Sequence, residues 1–184
     1  NNYVTQEGAT SKMTIKAGAS EIDAKVNYNT PGDDPINSNE IYALRVNTND
    51  DKEIGHSNYV QTSITTRVYH KPFTTEKSLN LHYEKSEPNA GDNYYSTLLY
   101  PQLGLFSDTM HKGKLRYNWN TNILAAAQGL ASTVNVIRGT WKSKVAYPIT
   151  DWLEIASKLQ LGAIITNDFD AVPLSFQFAA GGAN

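Results

Sequence analysis

Apolar and polar residues alternate with a period of two along most of this chain. In the clearest run, residues 60–68, Val60 and Ile64 share one phase with threonines, while Arg67 belongs to the other. Successive side chains of a β-strand point to opposite faces, so this period predicts strands with one apolar face. About nine segments follow the pattern, at residues 13–19, 22–28, 42–47, 60–68, 79–84, 96–106, 115–120, 134–147 and 153–163. The sequence therefore predicts an all-β, antiparallel fold.

Three places interrupt the alternation. Pro101 lies inside the sixth segment, which predicts a sheet edge, a bulge or a kink that faces lipid. The phase slips near Gly139, which predicts a β-bulge. Residues 123–130 (ILAAAQGL) form the one stretch with helical character, but a run this short that ends at a glycine is a marginal helix. We expect a loop there, with at most one helical turn.

Composition limits the functions that the chain can have. A net charge of −2 and a pI near 6.1 give no electrostatic basis for binding nucleic acid. There are no cysteines, which excludes disulfides and thiol chemistry. No apolar run reaches the roughly 18 residues of a membrane helix. A transmembrane β-barrel fits this composition, because its strands alternate lipid-facing and lumen-facing residues.

Motifs for catalysis and metal binding are missing from the sequence. It contains no G-x-S-x-G, phosphate-binding loop or H-E-x-x-H motif. Asp168 and Asp170 could form an acid pair, but turns are rich in aspartate for local hydrogen-bonding reasons. We therefore predict that the chain is not an enzyme and has no catalytic residues, cofactor or metal. The histidines lack metal-ligand spacing; they are His56, His70, His82 and His111.

Two architectures would produce this alternation. In a transmembrane barrel the polar phase lines a wet lumen and the apolar phase meets lipid. In a soluble β-sandwich or jelly roll, such as a capsid or adhesin binding module, the polar phase is the solvent face and the apolar phase is the core. Segments of ten or more residues can cross a bilayer at a tilt, which modestly favours the barrel. The charged residues in the polar phase are Lys16, Lys25, Arg45, Arg67, Arg116, Glu154 and Lys158.

The C-terminal run 167–184, NDFDAVPLSFQFAAGGAN, resembles part of the bacterial surface-antigen superfamily, the outer-membrane assembly factors. In that family an aromatic residue followed by small residues and glycines begins the long sixth loop of the barrel, and Phe178, Gly181 and Gly182 match it. Residues 168–173 are similar to a D-F-D-x-V-P segment of the TamA-like branch, and residues 99–103 to an F-Y-P-G strand. The likeness covers nearly the whole chain.

The resemblance implies a definite architecture. Residues 1–184 would be a single β-barrel region, roughly the third to eleventh strands of a sixteen-stranded transmembrane barrel. Nine strands cannot close as an even-numbered antiparallel barrel, and lipid does not tolerate open edges. We therefore expect the chain to be part of a longer protein or to pair with other chains.

The resemblance also implies a function and partners. The location would be the bacterial outer membrane, and the task would be to insert or translocate other outer-membrane or secreted proteins without a cofactor. Expected partners are membrane lipid, client outer-membrane proteins, and an inner-membrane or periplasmic subunit, but not nucleic acid. A secretion transporter of the same superfamily is a further alternative. The sixth loop folds back into the lumen in this family, so we expect Gly181→Val to impair assembly by blocking a close turn.

Overall fold

A single antiparallel sheet makes up the fold. The computed structural model describes residues 2–4, 8–52, 55–150 and 152–178, and residues 2–4 by backbone alone. A 3₁₀ turn, Leu174–Phe176, follows the last strand. Within the described ranges, no helix is both long and apolar enough to span a membrane. The strands are β1 (Asn2–Val4), β2 (Thr10–Ala17), β3 (Glu21–Pro31), β4 (Ser38–Asp51), β5 (Gly55–His70), β6 (Phe73–Pro88), β7 (Tyr94–Ser107), β8 (Met110–Lys112), β9 (Leu115–Ala126), β10 (Val136–Pro148) and β11 (Glu154–Thr166).

The strands lie in the sheet in chain order. Each of β1 to β7 pairs with the next, β7 pairs with β9, and β9 to β11 continue the series, while short β8 pairs with β9 beside this path. Every pairing is antiparallel. This up-and-down order is the one that transmembrane barrels use. Each of the nine predicted segments overlaps one strand, β2 to β7 or β9 to β11, so the predicted antiparallel all-β fold is confirmed.

Two local predictions are wrong. Residues 123–126 are not a loop, because alternation continues there: Ile123 is exposed, Leu124 is buried, and Ala126 pairs with Val136. The loop begins only at residue 127. No bulge occurs at Gly139, whose register is unbroken toward both β9 and β11. The apparent slip in phase arises because Val136 is apolar although it shares the inner face with Arg138, Thr140 and Lys142.

Pro101 marks an interruption in the sheet, as the edge prediction requires. β7 pairs with β6 through residues 94–107, but with β9 only from Gln102 to Phe106. Pro101, which has no N–H to donate, lies one residue outside that shorter ladder. Beyond it the loop 127–135 replaces β9: the Leu99 N–H donates to the Ser132 Oγ (2.9 Å), and the Thr133 N–H donates to the Thr97 carbonyl (2.8 Å). We call this interruption the β7–β9 split.

The two faces of the sheet differ in polarity and in exposure. On β6, Leu79 and Tyr83 are 52% and 50% exposed, whereas His82 and Glu84 are 1% and 0% exposed. We call the exposed apolar face the outer face and the opposite face the inner face. The strand registers place all seven charged residues of the predicted polar phase on the inner face. The sheet therefore buries polar side chains and exposes apolar ones.

Candidate functional site

The chain turns back over the inner face after β11. We call residues 167–178 the returning segment. It begins with a turn in which the Asp170 N–H donates to the Asp168 carboxylate (3.2 Å) and the Val172 N–H to the Phe169 carbonyl (3.1 Å). Both aspartates are exposed, so they serve local hydrogen bonding, as their position in a turn predicted.

Side chains of β7 hold the backbone of the returning segment. The Ser96 hydroxyl donates to the Ala171 carbonyl at 2.8 Å, and the Tyr94 hydroxyl donates to the Val172 carbonyl at 2.7 Å. Gln177 closes this arrangement from within the segment, because its side-chain amide donates to the same Val172 carbonyl (3.0 Å). These bonds satisfy carbonyls that have no strand partner, as a buried backbone requires.

Glu84, on the inner face near the C-terminal end of β6, binds Ser175 of the returning segment. Its Oε1 accepts the Ser175 N–H (3.1 Å) and the Ser86 hydroxyl (2.9 Å). Its Oε2 accepts the Ser175 hydroxyl and lies 2.9 Å from the His82 Nε2. A buried carboxylate is tolerated only when such hydrogen bonds replace water. The returning segment and β6 therefore satisfy each other's polar groups.

Ser175, His82 and Glu84 are the residue types of a hydrolytic triad, but their geometry is different. In a triad the histidine joins the acid and the serine through its two different ring nitrogens. Here both Glu84 and Ser175 approach Nε2, at 2.9 Å and 3.4 Å. His82 Nδ1 has no hydrogen-bond partner among the described residues. The cluster is suited to holding the segment and not to activating a nucleophile.

Aromatic contacts extend the attachment to β10. The Phe176 ring meets His82 edge-on at 5.0 Å between centroids and Tyr100 at 5.4 Å. From β10, the Arg138 Nε donates to the Phe176 carbonyl (2.8 Å), and its guanidinium lies 4.5 Å from the centre of the Phe178 ring. Such cation–π contacts are attractive where water is excluded. The segment thus bridges β6, β7 and β10.

An apolar cluster lies on the inner side of the β7–β9 split. Val172 and Phe176 come from the returning segment and pack on residues of β7, β9, β10 and the loop 127–135. Because β9 is absent beside residues 94–101 of β7, these side chains close the wall where the ladder stops. The cluster consists of Leu98, Tyr100, Leu124, Ala126, Val134, Val136, Val172 and Phe176.

Of the three residues predicted to begin the sixth loop, the structure describes only Phe178. Phe178 lies on the inner face, against Arg138 and over Gly162, where a Cβ atom would overlap the phenyl ring. Gly181 and Gly182 lie outside the described residues.

Sequence reasoning missed the roles of His82, Glu84 and Ser175. A signal was present, since the inner phase of β6 runs Asn80, His82, Glu84, Ser86 without a lysine or arginine.

The inner face of β10 and β11 is more open at the end away from the returning segment. Lys144 and Lys158 lie directly opposite each other on these strands, and both are exposed. Toward the first strands, Arg45 pairs with Asp23 (2.6 Å) and Arg67 with Glu76.

Among the described residues, no group of three or more His, Asp or Glu side chains could hold a metal ion.

Comparison with solved structures identifies the fold. The chain superposes with a TM-score of 0.71 and 12% sequence identity on "The crystal structure of BamA from Haemophilus ducreyi lacking POTRA domains 1-3". The match covers 96% of this chain and 39% of that one. No protein-family model and no curated protein matches the sequence. The likeness shows a shared fold, which confirms the prediction of an antiparallel β-barrel segment.

Proposed function

We propose that this chain forms part of the transmembrane barrel of a bacterial outer-membrane factor that inserts or translocates other outer-membrane or secreted proteins. The observation that carries the proposal is the inverted polarity of the sheet. Leu79 and Leu81 are exposed on the outer face, while His82 and Glu84 are buried inside. A continuous exposed apolar face is unfavourable in water, but it is the surface that a barrel presents to lipid.

Aromatic pairs support a lipid-facing outer surface. Phe73 packs on Trp119 (5.8 Å between centroids) near one end of β6, and Tyr83 stacks on Tyr95 (6.1 Å) near the other. Between them the outer positions include Leu79 and Leu81 of β6 and Leu99, Leu103 and Leu105 of β7, together with Thr75 and Lys77. Aromatic girdles on both sides of an apolar band are typical of outer-membrane barrels, because amphipathic rings favour the two membrane–water interfaces. We infer that membrane lipid contacts this face and that the protein resides in the outer membrane.

The sandwich alternative has no support from the sheet. A β-sandwich buries the apolar faces of two sheets against each other. Here all strands in the described ranges belong to one sheet, and its apolar face is uncovered. A capsid-type or adhesin-type binding module would need the opposite arrangement.

We propose that residues 1–184 are one region of a longer barrel chain. The chain spans only 39% of the solved BamA chain, and β11 has a strand partner on one side alone within the described residues. An unpaired strand edge is costly in hydrocarbon, so further strands must cover it. A sixteen-stranded barrel would supply them.

The finer assignment is to the TamA-like branch. It is supported by residues 168–173, whose D-F-D-x-V-P pattern forms the turn that starts the returning segment. On this assignment Phe178, Gly181 and Gly182 begin the sixth loop, and Phe178 already lies on the inner face. The partners would be client outer-membrane proteins and an inner-membrane or periplasmic subunit. The task needs positioning and an exposed strand edge, without covalent chemistry, cofactor or metal.

The proposal is tested by depleting the full-length protein from its native cells. We expect it to fractionate with the outer membrane and resist alkaline extraction, and we expect several outer-membrane barrel proteins to decrease together. In proteoliposomes, the purified protein should accelerate insertion of an unfolded barrel client several-fold over empty liposomes. Recovery in the water-soluble fraction would contradict the proposal. Loss of a single secreted protein, with barrel proteins unchanged, would favour a secretion transporter instead.

A further inference from the structure

An apolar groove opens on the outer face at the β7–β9 split. Its volume is about 730 Å3. Leu99 and Pro101 line one side, Ala125 and Ile137 line the other, and Leu130 of the loop 127–135 also contacts it. No charged side chain is among its described lining residues. The groove exists because β9 ends at Ala126 while β7 continues past it.

The groove is deeper than the surface of a regular sheet. Ala126 and Val136 border it, although both belong to the inner phase and are 8% and 1% exposed. The wall is therefore thinned at this point, and the apolar cluster of the inner face closes it from behind. Such a recess lies within the size range of small-molecule sites, about 300–1,000 Å3.

A β-strand is a poor occupant for this recess. Strand addition requires free backbone N–H and C=O groups at a sheet edge. At the split these groups are already bonded: the Leu99 N–H and carbonyl to the Ser132 hydroxyl, and the Thr97 carbonyl to the Thr133 N–H. A strand inserted here would have to displace those bonds. The recess therefore presents apolar surface, because the backbone groups of Thr97 and Leu99 already have hydrogen-bond partners.

We propose that the groove binds one acyl chain of a membrane phospholipid. This inference rests on the proposed function, because it needs the outer face to meet lipid. The groove is continuous with that face, and an apolar recess holds neither water nor an ion well. At one end lie the exposed amides of Asn135 and Asn167, joined by a 2.9 Å hydrogen bond from the Asn135 N–H to the Asn167 Oδ1. Polar groups at the end of an apolar channel suit a lipid headgroup.

Native mass spectrometry of the full-length protein in mild detergent tests the proposal. The wild-type protein should retain one phospholipid. Ala125→Phe fills the groove and should lower the lipid-bound fraction at least ten-fold. Ile123→Phe is the matched control, since it lies two residues away on the same face and outside the groove, and it should retain the lipid. Equal retention in both variants would overturn the proposal, and so would a bound polypeptide in place of lipid.

A second measurement does not depend on how Ala125→Phe folds. Residues 1–184 contain no cysteine, so once any cysteine elsewhere in the full-length protein is replaced by serine, Leu130→Cys in the groove and Ile123→Cys outside it can each carry one fluorophore. In vesicles of phospholipid brominated on its acyl chains, both fluorophores should be quenched. After transfer to detergent, quenching should persist only at position 130. Loss at both positions would overturn the lipid site alone. Absence of quenching at both positions in the vesicles would instead refute the proposed membrane location.

Discussion

The inner faces of β6 and β11 have different surroundings. β6 pairs with a strand on both sides, and the returning segment covers its inner face, so His82, Glu84 and Ser86 are buried. Within the residues that the structure describes, β11 pairs with β10 alone, and it exposes both Lys158 on the inner face and Leu161 on the outer face. Both strands alternate polar and apolar residues in the same way.

The difference separates two causes that are easily confused. Alternation determines which side of the sheet a residue occupies, because strand geometry permits nothing else. Burial depends on what packs against that side. On β6 a distant segment supplies the cover, so Glu84, His82 and Ser175 depend on one another. On β11 the segment lies against Gly162, whereas Lys158, four residues away on the same face, is exposed to solvent. Matched substitutions in the two strands should therefore have unequal effects.

Removal of the buried carboxylate should give the largest contrast. Glu84→Ala leaves the Ser86 hydroxyl and the His82 ring buried, and the Ser175 groups part-buried, without their acceptor. Each buried group left unsatisfied costs about 1–3 kcal/mol, so we expect the free energy of unfolding to fall by several kcal/mol. Lys158→Ala removes a charge from the same face, but it should leave the free energy of unfolding unchanged because that side chain is exposed. The urea midpoint of each full-length variant in detergent micelles measures both. Equal midpoints would show that the segment does not cover Glu84.

Leucine truncation should give the next largest contrast. Leu98 is 0% exposed within the apolar cluster, and Leu98→Ala should lower the free energy of unfolding by about 3 kcal/mol through lost contacts and a cavity. Leu161 is 56% exposed, and lipid or detergent can fill the space that Leu161→Ala creates. The same urea titration compares them. A larger loss of stability for Leu161→Ala than for Leu98→Ala would mean that the protein core lies on the outer face, which contradicts the structure.

Loss of one hydroxyl should give the smallest contrast. Ser175→Ala removes a donor to Glu84 but keeps the bond from the residue 175 N–H, so we expect a loss of about 1–2 kcal/mol. Because that loss is local, proteolysis within residues 167–178 should become several-fold faster. Ser157→Ala, at an exposed position of β11, is the control and should leave the rate unchanged. Unaltered proteolysis in the Ser175 variant would mean that other contacts hold the segment.

Much of the fold could be predicted from single residues and their phase. Val60, Ile64 and Arg67 indicate a strand and its two sides, and Pro101 indicates where a ladder stops. The failures at residues 123–126 and at Gly139 share a cause. A small or apolar residue on the inner face breaks the polar phase without breaking the strand, and only the partner strands reveal this.

The candidate site was harder to predict than the strands. The contact between Ser175 and Glu84 joins residues 91 positions apart, and no local pattern specifies such a pairing. Asp168 and Asp170 could be interpreted correctly, since their hydrogen bonds are local. The resemblance pointed to Phe178 and the glycines beyond it, whereas the described contacts centre on Phe176, Ser175 and Val172.

The short ladder at the β7–β9 split has a consequence for how the wall opens. β7 and β9 share five residue pairs, whereas β6 and β7 share fourteen. Short β8 adds three pairs of its own with β9. Amide hydrogen exchange proceeds through the weakest local openings. We therefore expect the strands before the split and those after it to behave as two cooperative units. Those amides of Gln102 to Phe106 that bond to β9 should exchange before the amides at either centre. The returning segment bonds to Glu84 on one unit and to Arg138 on the other, so it acts as a tie between them.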